Sequence, residues 1–328
     1  MSRKLTYVQA INEAVTQMMD KDSSVFIMGI GVNSPWYVGQ SCAGLYERFG
    51  DKRVIDTPVA ENGMTGIAVG AAMAGLRPII VHPRMDFMYY AMDQIINQAA
   101  NWHYMFGGRV NVPVTIRGIV NRGGEQAAQH SQSLQAMFMH VPGLKVVMPS
   151  TPYDAKGLLV ASIRDDNPVI YIDDRWLYEQ SGEVPEELYE VPIGKGIIRR
   201  EGKDITVVAT SYLAYEANKA AETLEKEGID TEIIDLRSLK PIDNNLVIES
   251  VKKTGRLVIA DGGWKTGGAG AEISALIAGS AFKYLKAPIR RVSLPDAPAP
   301  ASSVLEKAYY PTAATIVAAV RKVLEESL

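Results

Sequence analysis

Gly50-Asp-Lys-Arg-Val-Ile-Asp-Thr-Pro-Val-Ala-Glu-Asn-Gly-Met-Thr-Gly-Ile-Ala-Val-Gly-Ala-Ala-Met-Ala-Gly75 contains the unit from which the whole chain is built. A short strand ends near Asp56, a turn carries Pro58, and a helix begins just beyond Glu61. Small and apolar residues cover nearly every face of that helix. With no polar stripe for solvent, it belongs at the centre of the fold or at a subunit interface. On both sides of it, short β-branched apolar runs alternate with longer helical patterns. They predict strands over 24–28, 53–56, 78–82, 112–117, 145–148 and 169–172, and helices over 6–19, 63–74, 87–101 and 152–165. The strands are continuously apolar rather than alternating, so helices should cover both faces of a parallel sheet.

Residues 178–192 break this rhythm with an acidic stretch that contains Gly and Pro and has no periodicity, so 181–192 is expected to be a linker. A second α/β unit follows, with strands expected over 205–210, 231–235, 256–260 and 289–293 and helices over 214–227, 244–253, 271–280 and 311–325. The Ala-Pro-Ala-Pro stretch over 297–300 reads as extended chain before the last helix. The expectation is α/β with two doubly wound domains, 1–180 and 193–328.

Composition narrows the function classes. The 328 residues are 47% hydrophobic and 22% charged, with a net charge of −3, which gives no electrostatic footprint for nucleic acid. The single cysteine, Cys42, cannot close an internal disulfide, and no apolar run has the length of a signal peptide or a membrane span. A cytoplasmic protein without membrane attachment is expected. There is no His/Cys cluster at zinc spacing and no Gly-x-Ser-x-Gly nucleophile elbow.

Four places have residue types that carry chemistry. Glu61 follows a strand end, where ligands bind in open α/β sheets, or it is a first-turn glutamate that favours the helix dipole. His130, in Gln129-His-Ser-Gln132, follows the flexible Asn121-Arg-Gly-Gly124 and lies on a loop after a strand. Ser162-Ile-Arg-Asp-Asp-Asn-Pro168 is an ordinary helix terminus or an oxygen-rich cation site. Asp261-Gly-Gly-Trp-Lys-Thr-Gly-Gly-Ala-Gly-Ala271 opens a helix after a strand, but it matches neither a dinucleotide nor a Walker motif.

These segments together resemble the β subunit of the decarboxylating component of thiamine-diphosphate-dependent 2-oxoacid dehydrogenases of the pyruvate type. The resemblance is carried by Gly50 to Pro78, Asp93-Gln-Ile-Ile-Asn97, Gln129-His-Ser-Gln132, Pro142-Gly-Leu-Lys-Val-Val147, Asp154-Ala-Lys-Gly157, Arg164-Asp-Asp-Asn-Pro168, Leu239-Lys-Pro-Ile-Asp243 and Asp261-Gly-Gly-Trp264. These tags run in family order over nearly the whole chain.

The resemblance implies a transketolase-like pyrimidine-binding domain followed by a transketolase C-terminal-like domain. Glu61 falls on the glutamate that hydrogen-bonds the aminopyrimidine of thiamine diphosphate and sets its tautomer, and Met64 and Phe87 fall beside the cofactor. His130 falls on the active-site histidine that assists the intermediate or its transfer to lipoamide. Ser162, Asp165 and Asn167 fall where relatives bind a structural potassium ion. The family's Gly-Asp-Gly motif for the diphosphate and its magnesium is missing here and resides on an α subunit. An α2β2 heterotetramer is therefore implied, with a lipoyl-bearing dihydrolipoyl acyltransferase as further partner and a 2-oxoacid, pyruvate by default, as substrate.

One segment departs from the family. Relatives carry Glu and Phe where this chain has Val81 and Arg84, while Asp86 and Phe87 are kept. His82 and Arg84 would suit an acidic or phosphorylated substrate, or would face the partner subunit. Two other readings stay open at this point: the C-terminal half of a split transketolase acting on sugar phosphates, and a non-catalytic assembly subunit of the same fold.

Overall fold

In the computed structural model, which describes residues 3–34 and 36–326, the chain divides into two compact units. One comprises Met1–Arg122 with Met137–Ile193, the other Gly123–Ala136 with Gly194–Leu328. The segment 123–136, which carries His130, thus groups with the second unit, whereas the sequence reading placed it in the 1–180 domain.

The strands of the first unit are β1 (Arg3–Thr6), β2 (Val25–Gly29), β3 (Val54–Asp56), β4 (Arg77–His82), β5 (Thr115–Val120), β6 (Lys145–Val147), β7 (Val169–Asp174) and β8 (Ser181–Val184). A parallel array runs β6-β7-β5-β4-β2-β3. Its middle strands are buried on both faces by residues such as Ile27, Ile79, Ile80, Ile116 and Ile170, as the continuous apolar runs require. The helix Tyr7–Lys21 is started by Thr6 and Gln9 in a reciprocal capping box, and it packs against the helix Pro152–Arg164.

The stretch expected to be a linker is tied down. Ser181–Val184 pairs antiparallel with β1. Beyond it, the buried Lys156 ammonium lies 2.6 Å from Glu13 and donates to the carbonyls of Pro185, Glu186 and Glu187 at 2.8, 3.2 and 2.9 Å. A buried cation must be saturated with acceptors, and this backbone supplies them.

The second unit contains β9 (Ile197–Arg200), β10 (Ile205–Ala209), β11 (Thr231–Asp235), the short β12 (Ser238–Lys240), β13 (Leu257–Trp264) and β14 (Arg290–Leu294). Its sheet runs β14-β13-β10-β11-β9, parallel except for β9, which is antiparallel to β11. The helices Ser211–Glu225 and Ala313–Glu325 share one core with Val207, Ala209 and Val258. Asn244–Thr254 and Ala269–Ser280 cover the other face, where Thr206 on β10 bonds Ser250 and Thr254 at 2.7 and 2.8 Å. A further helix, Ser303–Tyr309, forms just after the Pro-containing stretch and was not foreseen.

Candidate active site

The C-terminal ends of β2, β3 and β4 form one edge of the first sheet, and the loops that leave it carry the candidate residues. Asp56, the last residue of β3, accepts from the Gly31 N–H at 2.5 Å, and Thr57 N–H donates to the Gly29 carbonyl at 3.1 Å. These bonds tie the loop after β2 to the loop that leads to Glu61. Gly29 has φ +152, and a Cβ there would lie 2.5 Å from the Val81 carbonyl oxygen, so only glycine lets β2 and β4 close up at this edge.

Glu61 is the first residue of the helix Glu61–Met73 and is half-buried. Among the described residues, its carboxylate has no hydrogen-bond or ion-pair partner. Three residues on, Met64 is buried, with its sulfur 3.2 Å from Thr57 Oγ1. The helix packs closely on the segments Met85–Ala91 and Asp93–Ala99; at Gly66 a Cβ would meet Gln94 Oε1 at 3.2 Å. Phe87, in the first of these segments, is half-buried. A carboxylate without a partner, on a helix held from behind, can accept one strong hydrogen bond from a ligand at the strand ends.

The two residues expected to face an acidic substrate differ in burial. Arg84 is half-buried, and its guanidinium donates to the Pro83 carbonyl at 2.9 Å. His82 is fully buried, its Nε2 3.2 Å from Thr65 Oγ1, and burial pushes its imidazole from 6.5 down to about 4. Burial thus favours the neutral imidazole over the cation at this position.

A stability profile follows from this shift. The native imidazole resists protonation until about pH 4, whereas in the unfolded chain it titrates near 6.5. The unfolded state thus binds the extra proton between these values, and stability present above about 6.5 is lost as pH falls toward 4. The expected loss is roughly 3 kcal/mol. The wild type minus His82→Asn difference in urea midpoint should shrink across this window; a difference that stays flat would refute it.

His130 is half-buried in a turn of the second unit, whereas Glu61 belongs to the first. Ser162 Oγ donates to the Leu158 carbonyl at 2.6 Å. Asp165 pairs with Lys145 and accepts from the Asn167 N–H at 2.9 Å, while Arg77 donates to the carbonyls of Ile163 and Asp165, each at 3.1 Å. The oxygens around this helix end are thus already engaged by two protein cations. Among the described residues, no group of three or more His, Cys, Asp or Glu forms a metal cage.

Sequence reasoning missed a buried polar cluster at the ends of β5 and β7. Arg122 and Asp174 form an ion pair at 2.9 Å, and the Arg122 guanidinium lies 6.0 Å from the centre of the Trp176 ring. Burial raises the Asp174 carboxyl above its usual range, and Arg122 opposes that rise. The only sequence signal was an Asp-Asp-Arg run at a strand end, which also fits a solvated turn. The Asp261–Ala271 cluster serves packing: a Cβ at Gly263 would lie 2.8 Å from Gln135 Nε2.

Comparison with known proteins gives these positions a context. A family model for the transketolase pyrimidine-binding domain matches residues 3–180, and one for the transketolase C-terminal domain matches 194–316. The chain is 47% identical to acetoin:2,6-dichlorophenolindophenol oxidoreductase subunit beta of Cupriavidus necator, over 99% of each chain. It is 45% identical to pyruvate dehydrogenase E1 component subunit beta of Rickettsia felis, over 98% of each. It is 42% identical to 2-oxoisovalerate dehydrogenase subunit beta of Bacillus subtilis, over 98% of this chain and 99% of the relative. Among solved structures, a split gene transketolase, described as an inactive beta4 tetramer, superposes with a TM-score of 0.79 at 24% identity over 99% of both chains, a likeness of fold. No described helix is long and apolar enough to cross a membrane.

Proposed function

The chain belongs to the transketolase-like β subunits of the 2-oxoacid dehydrogenases, and from that premise we propose that it supplies the pyrimidine-binding half of a thiamine diphosphate site completed by an α subunit. The observation that carries this reading is Glu61, a carboxylate without a partner among the described residues, at the C-terminal edge of a parallel sheet. A ring nitrogen brought to it gains a charge-assisted hydrogen bond. When bound, thiamine diphosphate supplies the electron sink for decarboxylation of a 2-oxoacid. Glu61 would hold the proton at the pyrimidine nitrogen, and the close-packed helix behind it would fix its direction. Met64 and Phe87 would supply apolar surface against the cofactor. His130 would assist passage of the acyl group to lipoamide.

Pyruvate is the default substrate, with acetoin and a branched-chain oxoacid as the alternatives that the relatives' names offer. The α2β2 assembly, magnesium held by the α subunit, and a lipoyl-bearing acyltransferase as acceptor belong to the same proposal. Potassium at Ser162, Asp165 and Asn167 would have to share or displace the contacts that Lys145 and Arg77 make there, and no step of the chemistry depends on it. The split-transketolase reading is not favoured, because the transketolase likeness is at 24% identity and concerns fold. In a non-catalytic subunit Glu61, which has no hydrogen-bond or ion-pair partner among the described residues, would serve the helix dipole alone.

The test is calorimetric titration of thiamine diphosphate with magnesium into this chain alone, and into the chain co-expressed with its α-type partner. Binding in the mixture alone is the expected result. Equally tight binding by the isolated chain would refute the shared site, and no binding in either sample would refute the cofactor assignment.

A further inference from the structure

The segment that carries His130 is tied to the second unit at both ends. At one end, the Glu125 N–H donates to both carboxylate oxygens of Glu306, at 3.2 and 3.1 Å. In return the Glu125 carboxylate accepts from the Ser303 N–H at 3.2 Å, so the segment and the helix Ser303–Tyr309 cap each other. Glu306 is 6% exposed. Glu125 has φ 61 and Ala127 φ 58, a left-handed backbone that residues other than glycine keep only when their surroundings impose it.

At the other end, Gln135 Nε2 donates to Asp261 Oδ1 at 2.7 Å, and Gln135 Oε1 accepts from Ser133 Oγ at 2.6 Å. Gln135 and Asp261 are 0% and 1% exposed. Gly263 on β13 leaves the space in which the amide lies. Were the segment to swing away, the Glu306 carboxylate would lose the Glu125 N–H and Asp261 the Gln135 amide, so each tie favours the docked segment. The two ties thus anchor the segment at residues 125 and 135, on either side of His130.

We propose that Glu306 and the Gln135–Asp261 pair are positioning residues that present His130 in a single orientation. The proposal rests on the assignment of His130 to acyl handling; neither Glu306 nor the pair touches substrate in this role. Without them, His130 would sample orientations from which it cannot reach the reacting group, and the loss would fall on turnover rather than on binding.

The test compares Glu306→Ala and Glu306→Gln in the assembled complex, by hydrogen–deuterium exchange over 123–136 and by steady-state kinetics. Glu306→Ala should speed exchange at 123–127 and lower kcat about tenfold, with KM and thiamine diphosphate affinity unchanged. Glu306→Gln keeps an acceptor oxygen and should recover most of both. Unchanged exchange in Glu306→Ala would overturn the tie, and faster exchange with wild-type kcat would overturn the positioning role. If Glu306→Ala fails to assemble, Gln135→Ala, read over 131–136, decides in the same way. Full turnover in His130→Ala would overturn the underlying assignment; the exchange data need no chemistry and so distinguish the two failures.

Discussion

Glu61→Ala is expected to abolish turnover of the assembled enzyme while leaving its fold intact. The first-turn carboxylate interacts favourably with the helix dipole, a contribution of about 0.3–1 kcal/mol that a folded subunit can lose without consequence. It has no other partner among the described residues, so removing it strands no donor. If Glu61 acted through the dipole alone, the variant would melt slightly earlier and turn over normally. If it holds a proton at the cofactor ring, the rate should fall by roughly 10²–10⁴-fold, the usual size of a positioned acid–base contribution. Glu61→Gln separates charge from shape, because it keeps the length but cannot exchange the proton, and it should be nearly as inactive as the alanine variant. Glu61→Asp keeps the charge but withdraws it by one methylene, and a misplacement of that size costs about 10²-fold. Thermal melting beside single-turnover decarboxylation of pyruvate would check the set; wild-type turnover in Glu61→Ala would sink the mechanism.

The strand-to-helix step at Glu61 was legible because everything that defines it lies within one short stretch: an apolar run, a Pro-containing turn and a helix of small residues. Longer-range features were not. Residues 87–101 have the apolar spacing of one helix, but the chain forms a 3₁₀ segment over Met85–Ala91 and a π-helix over Asp93–Ala99. Both pack against the small-residue helix, and Met88 fills the space beside Gly118, where a Cβ would lie 2.6 Å from its sulfur. Packing of this kind overrides a periodicity that cannot distinguish one helical winding from another. The strand predicted over 112–117 begins later, at Thr115, because Pro113 has no N–H to give to the ladder. That shift hid the most consequential buried group in the sheet. Arg117 read as the polar end of a strand, yet it lies mid-strand and is 0% exposed. Its partner is 56 residues away, beyond the reach of local pattern.

Removing that partner should have the largest effect on stability. Arg117 Nε and Nη2 donate to the two oxygens of Asp173 at 2.9 and 2.8 Å, and Nη1 donates to Ser41 Oγ at 2.7 Å. Tyr178 OH donates to Asp173 Oδ2 at 2.5 Å and accepts from Arg117 at 3.1 Å. Asp173→Ala would leave a buried guanidinium without its carboxylate, at a cost of about 3–5 kcal/mol. A typical domain has about 5–15 kcal/mol in total, so the loss is a large fraction of such a margin. The double variant Arg117→Met/Asp173→Leu should recover much of the loss, because two apolar side chains leave no charge to solvate. Tyr178→Phe removes both hydrogen bonds of that hydroxyl but leaves the ion pair, and should cost about 1–3 kcal/mol. Urea unfolding of the four proteins checks the ordering. If Asp173→Ala proved as stable as wild type, Arg117 would have to reach water in its absence. The consequence extends to the site, since Asp173 precedes the Asp174 that pairs with Arg122 at the strand ends. A β7 loosened at Asp173 would move that pair, so a rescued double variant that is stable yet slow would show that the network sets the site's geometry as well as the fold's stability.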